Sequence, residues 1–298
     1  MSKAPTFNAF MAKQIAILEE TGKKRTSETY RTALNRLNEF LDGSTITFSE
    51  IDVNFIDSFE ESMLSRHICR NTTSFYMRIL RAVYNRGVER GWTRQRDPFR
   101  HVYTGVDKTQ KRAVSVSVIR ELKTMDLSAE PKLAKARDLF LFSFYTRGMS
   151  FIDMAYLRQS DLWGEVLRYT RRKTGRSLSI HWEPEMQEII DRYPPNLCGF
   201  LLPILTDPDR DLRQQYKNAI LNTNQSLAVL SDRLNLPVHL TTYVARHSWA
   251  SIAYSKNVPL SLISEGMGHE SEKTTRIYLA SLPSSGLDKA NRRILKML

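Results

Sequence analysis

Cysteine is scarce in this 298-residue chain. Only Cys69 and Cys198 occur, far apart and in no CxxC pairing, which argues against a disulfide framework or a zinc site and fits a reducing compartment. Long apolar runs are missing too, so no membrane span or membrane partner is expected, and Met1 to Phe10 lacks the basic-then-apolar plan of a secretion signal. Neither an internal repeat nor a low-complexity block is present. The remaining shortage is of acid. Lys and Arg number 44 against 32 Asp and Glu, giving a net charge of +12 and a pI near 9.7. What is present, 41% hydrophobic residues, suffices for the cores of two ordinary domains or one large one.

The positive charge is localised. Met1 to Glu61 holds 7 basic and 10 acidic residues, Ser62 to Arg112 holds 12 and 3, and the rest holds 25 and 19. A short span carrying most of the excess is the footprint of a nucleic-acid-contacting face; a basic membrane-surface protein is the second candidate. With no secretion signal, the chain is expected in the cytoplasm, associated with the nucleoid.

Apolar spacing predicts helices over Phe7–Glu20, ended by Gly22, over Thr29–Leu41, closed by Asp42-Gly43, and over Val53–Met63 behind a Ser49 cap. A fourth, Thr72–Arg90, turns Phe75, Ile79, Ala82, Val83 and Tyr84 inward and leaves Arg78, Arg81, Arg86 and Arg90 for another use. Arg66 and Arg70, four apart, share a face if that piece is helical. Arg66, Arg70, Arg78, Arg81 and Arg86 are the candidate DNA contacts, positioning a duplex through its phosphates rather than reading it. Residues 1–100 thus form a helical DNA-binding domain. Gly91 to Ala113, with Pro98, two glycines and no period, reads as the connection between domains, with the linker proper at 101–113.

The second domain, 114–298, opens with Ser117 as a cap for a short helix and continues with an apolar helix over Lys132–Tyr145. Two strands, Val166–Thr170 and Ser177–Trp182, flank the turn RRKTGR; Leu178, Ile180 and Trp182 alternate with Ser179 and His181. Helices follow over Pro184–Tyr193, Arg213–Leu234, a segment capped by Thr241 or Thr242 with Ala245, Trp249, Ile252 and Ala253 inward, and Leu260–Met267, stopped by Gly268. From about residue 282 a tail carries Leu287, Ala290, Ile294 and Leu298 on one stripe.

Gly266 to Ala280, GMGHESEKTTRIYLA, holds a Gly-His corner, a threonine pair and Tyr278, a candidate nucleophile. Upstream stand FYTRGMS around Arg147 and TYVARHSWAS around Arg246. Singly, each residue has a plain structural reading: Arg147 as a helix cap, Lys173 as a solvated turn lysine, His247 and His269 as core or helix-stop residues. Together, Arg147, Lys173, Arg246, His247, His269 and Tyr278 occur in an order that resembles the tyrosine recombinases, the phage integrase family. The resemblance covers nearly all of the second domain, and the first resembles that family's core-binding domain.

That resemblance implies a mainly α fold with a small β-sheet in the second domain: an N-terminal helical bundle followed by a mixed α+β catalytic domain of the tyrosine recombinase type. It implies site-specific recombination by strand cleavage and rejoining through a 3′-phosphotyrosine, serving integration, excision or inversion of a DNA segment. Arg147 and Arg246 would stabilise charge on the phosphate oxygens. Tyr278 would attack, its phenol (pKa about 10) needing help to deprotonate, and Lys173 would protonate the leaving 5′ hydroxyl. His269 would hydrogen-bond the phosphate, and His247 would orient the same group or pack beneath it. Neither a metal nor another cofactor is implied. The implied partner is double-stranded DNA with paired target sites, held by a dimer per site and a homo-tetramer per synapse, with the tail docked on a neighbour; a helix packed on its own domain fits the tail's stripe equally well.

Two departures stand out. Tyr243 occupies the position three before Arg246 where many members have histidine, and Ser150 stands where an acid often follows the first arginine, with Asp153 at six. Little chain precedes the first helix, so an Xer- or invertase-like member without an arm-binding domain is expected. Two alternatives remain: type IB topoisomerase-like strand passage, and a catalytically idle DNA-binding protein of the same fold.

Overall fold

The structure is a computed structural model that describes residues 4–107, 112–279 and 295, with side chains of 277–279 excepted. The chain divides into two compact units, Met1–Thr109 and Gln110–Leu298.

The first unit is built on four helices: α1 (Phe7–Glu20), α2 (Lys24–Phe40), α3 (Val53–Ser65) and α4 (Arg70–Glu89). Thr6 caps α1 by accepting from the Ala9 amide, and Gly22, with φ of 73°, supplies the left-handed turn that ends it. Helix α2 begins five residues before the expected start, because Lys24 to Glu28 joins the turn ahead of the apolar stripe. Asp52, not Ser49, caps α3: its carboxylate accepts from the Phe55 amide at 2.8 Å, while Ser49 bonds Thr47 inside the preceding turn. Arg66 and Arg70 lie on no common helix, since α3 ends at Ser65, His67 turns left-handed at φ 58° and α4 starts at Arg70. Phe75, expected inward, is exposed, and Tyr76 and Met77 take the core side instead.

The core of this unit centres on Phe7, Phe10, Phe48, Phe59, Met77 and Tyr84. The segment after α4 is irregular yet packed. Trp92 meets Phe10 edge to face at 4.8 Å, Phe99 and Val102 are buried, and the Asn71 side chain brackets the Asp107 backbone through two hydrogen bonds. The expected linker is therefore folded onto α4 as far as residue 107.

In the second unit, α5 (Val116–Thr124) is capped by Ser115 rather than Ser117, which bonds the Ser115 hydroxyl from inside the first turn. Then come α6 (Pro131–Tyr145), the short α7 (Phe151–Ala155), a three-stranded antiparallel sheet in the order β1 (Leu162–Trp163), β2 (Val166–Thr170), β3 (Ser177–His181), and helices α8 (Pro184–Ile190), α9 (Leu212–Arg233), α10 (Thr242–Ser255), α11 (Leu260–Gly266) and α12 (Glu272–Leu279). Neither α7 nor β1 was legible from periodicity; five and two residues are too short to show one. The β2–β3 register pairs Leu167 with Ile180 and Thr170 with Ser177. Leu167 and Ile180 are buried while Ser179 and His181 are exposed, the expected alternation. The buried carboxylate of Asp138 on α6 receives hydrogen bonds from Arg137, Arg192 and Tyr193, tying α6 to the chain just after α8. Among the described residues no helix is long and apolar enough to cross a membrane. The tail stripe of Leu287, Ala290, Ile294 and Leu298 lies outside the described residues.

A Cβ placed at Gly87 in α4 would lie 2.2 Å from the buried ring of Phe48. Gly87→Ala should therefore destabilise the protein by about 1–3 kcal/mol although alanine is the better helix former; denaturant unfolding of the two proteins checks this, and a gain in stability would contradict it.

Candidate active site

Helix α6 ends at Tyr145, and the next residues turn sharply. Arg147 has φ of 59° and Gly148 of 73°. A Cβ on Gly148 would sit 2.7 Å from the Cα of Arg246, so only glycine lets α10 approach this corner. The corner is held by Ser143, whose hydroxyl donates to the Met149 carbonyl at 2.7 Å. Arg147 itself is half-buried and donates to the Ser179 carbonyl on β3 at 3.4 Å.

Arg246, on the second turn of α10, is 3% exposed. Its guanidinium donates to the carbonyls of Gly148 and Met267, both at 2.6 Å, and Nη2 lies 3.0 Å from His269 Nε2. Because guanidinium nitrogens only donate, Nε2 must be the acceptor, and the His269 proton sits on Nδ1, which donates to Thr275 Oγ1 at 2.8 Å. Burial first, then Arg246, Arg171 and Lys173, push the His269 pKa down to about 3. The ring is neutral at ordinary pH, and in this arrangement Nε2 orients Arg246 and offers no proton of its own.

The β2–β3 turn contributes a second ring of contacts. Arg171 donates to the Gly268 carbonyl and Arg176 to the His269 carbonyl, each at 2.7 Å. The exposed Lys173 rides on the tip between them, near enough to act on His269 electrostatically. Asp153, buried on α7, accepts from the Ser150 hydroxyl at 2.6 Å and the Arg172 amide at 2.8 Å, and lies 4.0 Å from Arg171. The acid six residues past Arg147 is thus engaged with the hairpin.

Arg147, Arg246, His269 and Lys173 are therefore gathered by four separate segments. Tyr243, half exposed, stacks edge-on against the buried His247 at 4.6 Å on α10. Tyr278 lies on the last turn of α12, one turn beyond Thr275; its side chain is outside the described residues. Sequence reading missed Arg171, Arg176 and Thr275 as contributors. Their signals were the arginines bracketing RRKTGR and the threonine pair, but an arginine in a polar turn carries no mark of where it will reach.

On the first unit, Arg70, Arg78 and Arg81 fall on one face of α4 by their spacing. Arg70 lies over the Tyr103 ring at 3.9 Å, and Arg81 reaches Thr104 at 3.3 Å. Beside them a groove of about 480 Å³ between α2 and α4 is lined by residues including Thr29, Asn71, Phe75, Arg78 and Val106. Arg66 is engaged by Glu39 at 3.4 Å. Arg86 points away from that face and donates to Gln14 of α1 at 2.7 Å.

Comparison with known proteins bears on the family and the fold. The phage integrase SAM-like domain matches residues 6–103, and the phage integrase family model matches residues 129–284. Tyrosine recombinase XerC of Mesorhizobium japonicum is 31% identical over 158 residues, 51% of this chain and 49% of that protein, so the chain spans about half the length of the curated relative it matches. Among solved structures, a lambda integrase dimer bound to a COC' core site gives a TM-score of 0.70 at 13% identity, over 94% of this chain and 78% of that one; the same integrase as a tetramer on a Holliday junction gives 0.69 at 13%, over 93% and 78%. The Tn1549 transposon integrase with a circular intermediate DNA gives 0.71 at 15%, over 96% and 99%. These identities show a shared fold. Since the family model covers more than half of its length, this chain belongs to the phage integrase family, the tyrosine recombinases.

Proposed function

We propose that this chain is a site-specific recombinase that cuts and rejoins duplex DNA through a phosphotyrosine at Tyr278. The observation that carries the reading is the buried Arg246, aligned by two carbonyls and His269 beside the Arg147 corner. Such a pair of guanidiniums is pre-set for a phosphate whose oxygens gain charge as a fifth bond forms at phosphorus. The Tyr278 oxygen forms that bond, the bond from phosphorus to the 5′ oxygen breaks, and Lys173 at the hairpin tip gives the leaving oxygen its proton. Neutral His269 keeps Arg246 in line, and Tyr243 with His247 forms the flank of α10. The energy of the broken bond is kept in the tyrosyl ester, so a 5′ hydroxyl from a partner strand reverses the step.

The first unit serves as the core-binding domain, with α4 laid along the phosphates. Residues 114–298 form the catalytic domain, and the segment after residue 107 joins the two. A dimer occupies each site and two sites pair as a tetramer, in keeping with the assemblies in which lambda integrase is seen. The topoisomerase-like and idle readings share the clamp but have no observation of their own in favour.

Covalent capture tests this. Incubated with a randomised duplex library, the unaltered protein should retain DNA under denaturing conditions, with the adduct on the peptide containing Tyr278. Tyr278→Phe should retain none, and Arg246→Ala should cut the cleavage rate on the selected site by roughly 10²–10³-fold. Equal adducts from Tyr278→Phe would end the reading.

Binding should weaken steeply with salt, because each neutralised phosphate releases counterions. Changing Arg70 and Arg81 together to Ala should reduce the slope of log affinity against log salt by about 2, whereas Arg86→Ala should leave it unchanged, its side chain being committed to Gln14. Binding isotherms at four or five salt concentrations measure both slopes.

His269 also predicts a pH dependence. Its folded pKa near 3 lies below the ordinary 6.5, so between those values the unfolded chain binds a proton that the native protein refuses. Stability then falls as pH drops through that window, by up to about 1.4 kcal/mol per unit from this group. His269→Gln should show a correspondingly shallower loss than the unaltered protein in urea titrations from pH 7 to 5; parallel curves would mean that the ring titrates normally.

A further inference from the structure

In the recombinase reading, arginines on α4 meet phosphates, and phosphates carry no sequence information. A protein that acts at one site needs base contacts as well. The groove of about 480 Å³ between α2 and α4 adjoins the face of Arg70, Arg78 and Arg81, so a duplex whose phosphates meet those arginines turns its base edges toward it. In the major groove, which admits an α-helix, base pairs differ in their hydrogen-bonding groups and in one apolar group, the thymine 5-methyl.

The polar side chains around this groove are engaged within the protein. The Asn71 carboxamide is used at both ends: its oxygen accepts from the Asp107 amide at 2.7 Å and its nitrogen donates to the Asp107 carbonyl at 3.1 Å. It has no pair of bonds left for an adenine edge. Thr29 and Thr32 donate their hydroxyl protons to the carbonyls of Thr26 and Glu28, at 2.8 and 2.9 Å, and Thr72 shares a 3.1 Å hydrogen bond with Cys69. Arg25 lies 3.7 Å from Glu28, and Arg78 leans toward the Phe75 ring, 5.8 Å from its centroid.

What stays open is apolar. Phe75 is 37% exposed and Val106 is 68% exposed, and both line the groove. Neither is loosely held. Phe75 belongs to α4, and Val106 is fixed from both sides, since the Gly105 carbonyl accepts from the Ser74 hydroxyl at 2.5 Å and Asp107 is bracketed by Asn71. They stand within the span from Ser62 to Arg112, which holds 12 basic and 3 acidic residues. An apolar helix of another protein would cover the two side chains but leave those cations unmatched; a polyanion that carries a methyl group satisfies both.

Resting on the recombinase reading, we propose that Phe75 and Val106 are specificity-determining residues that receive the 5-methyl group of a thymine in the major groove. The recognised group is a methyl and not a hydrogen-bonding edge. Uracil, which lacks only that methyl, is therefore read poorly, and 5-methylcytosine, which carries it at the same ring position, supplies the same contact.

The test takes the duplex selected from a random library by equilibrium binding to the unaltered protein, and replaces each thymine in turn by deoxyuridine. At one or two positions, loss of the methyl should weaken binding roughly fourfold, the worth of one buried methyl-sized group. There, 5-methylcytosine opposite guanine should bind roughly fourfold more tightly than cytosine. Both preferences should vanish in Phe75→Ala and shrink in Val106→Ala. Each ratio is taken within one preparation, so a reduced folded fraction does not alter it, and the salt slope should match that of the unaltered protein because no cation is lost. Equal affinity for thymine and uracil at every position overturns the proposal. A thymine preference that survives both Phe75→Ala and Val106→Ala also overturns it, since the methyl is then read elsewhere. Either result leaves the recombinase reading intact, which is decided by the Tyr278 adducts and not by these ratios.

Discussion

A guanidinium charge buried to 3% exposure is the constraint around which the second unit is arranged. Taking such a group out of water costs several kcal/mol unless its donors are satisfied. Arg246 meets that cost with the Gly148 and Met267 carbonyls and the lone pair of His269, partners that orient the charge without cancelling it. Each imposes a further requirement. Position 148 must be glycine for α10 to approach, His269 must be neutral with its proton on Nδ1, and Thr275 must stand where its hydroxyl accepts a hydrogen bond from Nδ1.

Fixing the charge in advance matters for the proposed chemistry. A clamp that is already aligned reorganises little as negative charge grows on a phosphate, and in a site screened from water its field is stronger than at a surface. Burial depresses the pKa of His269, and the field of three cations adds to the effect. A histidine in such surroundings keeps one tautomer across the physiological range, so the orientation of Arg246 is insensitive to pH.

The two units treat their arginines differently. On α4, Arg70 and Arg81 are solvent-facing and lean on Tyr103 and Thr104, exposed contacts that are each worth little. In the second unit Arg171 and Arg246 are buried and bond main-chain carbonyls; they belong to the framework as much as to the site. Composition counts both kinds alike. Only burial separates a cation left at the surface from one that builds the pocket.

Much of this was readable in the one-dimensional pattern. Long helices such as α1 and α9 announce themselves through apolar spacing and the β2–β3 hairpin through alternation around Gly175, because local periodicity is a property of the chain itself; the order Arg147, Lys173, Arg246, His269, Tyr278 was legible through its resemblance to the tyrosine recombinases. The caps of α3 and α5, the brevity of α7 and β1, and the outward turn of Phe75 were not, since competing serines and short elements leave no distinct signature. What the tertiary structure alone decided is partnership: that Asp153 serves the hairpin, that Arg171 and Arg176 grip the Gly268–His269 turn, that Arg86 is committed to Gln14 while Arg81 is not, and which nitrogen of His269 bears the proton. Those bonds span up to about a hundred residues of sequence, and a contact of that length is fixed by packing, which no window along the chain contains.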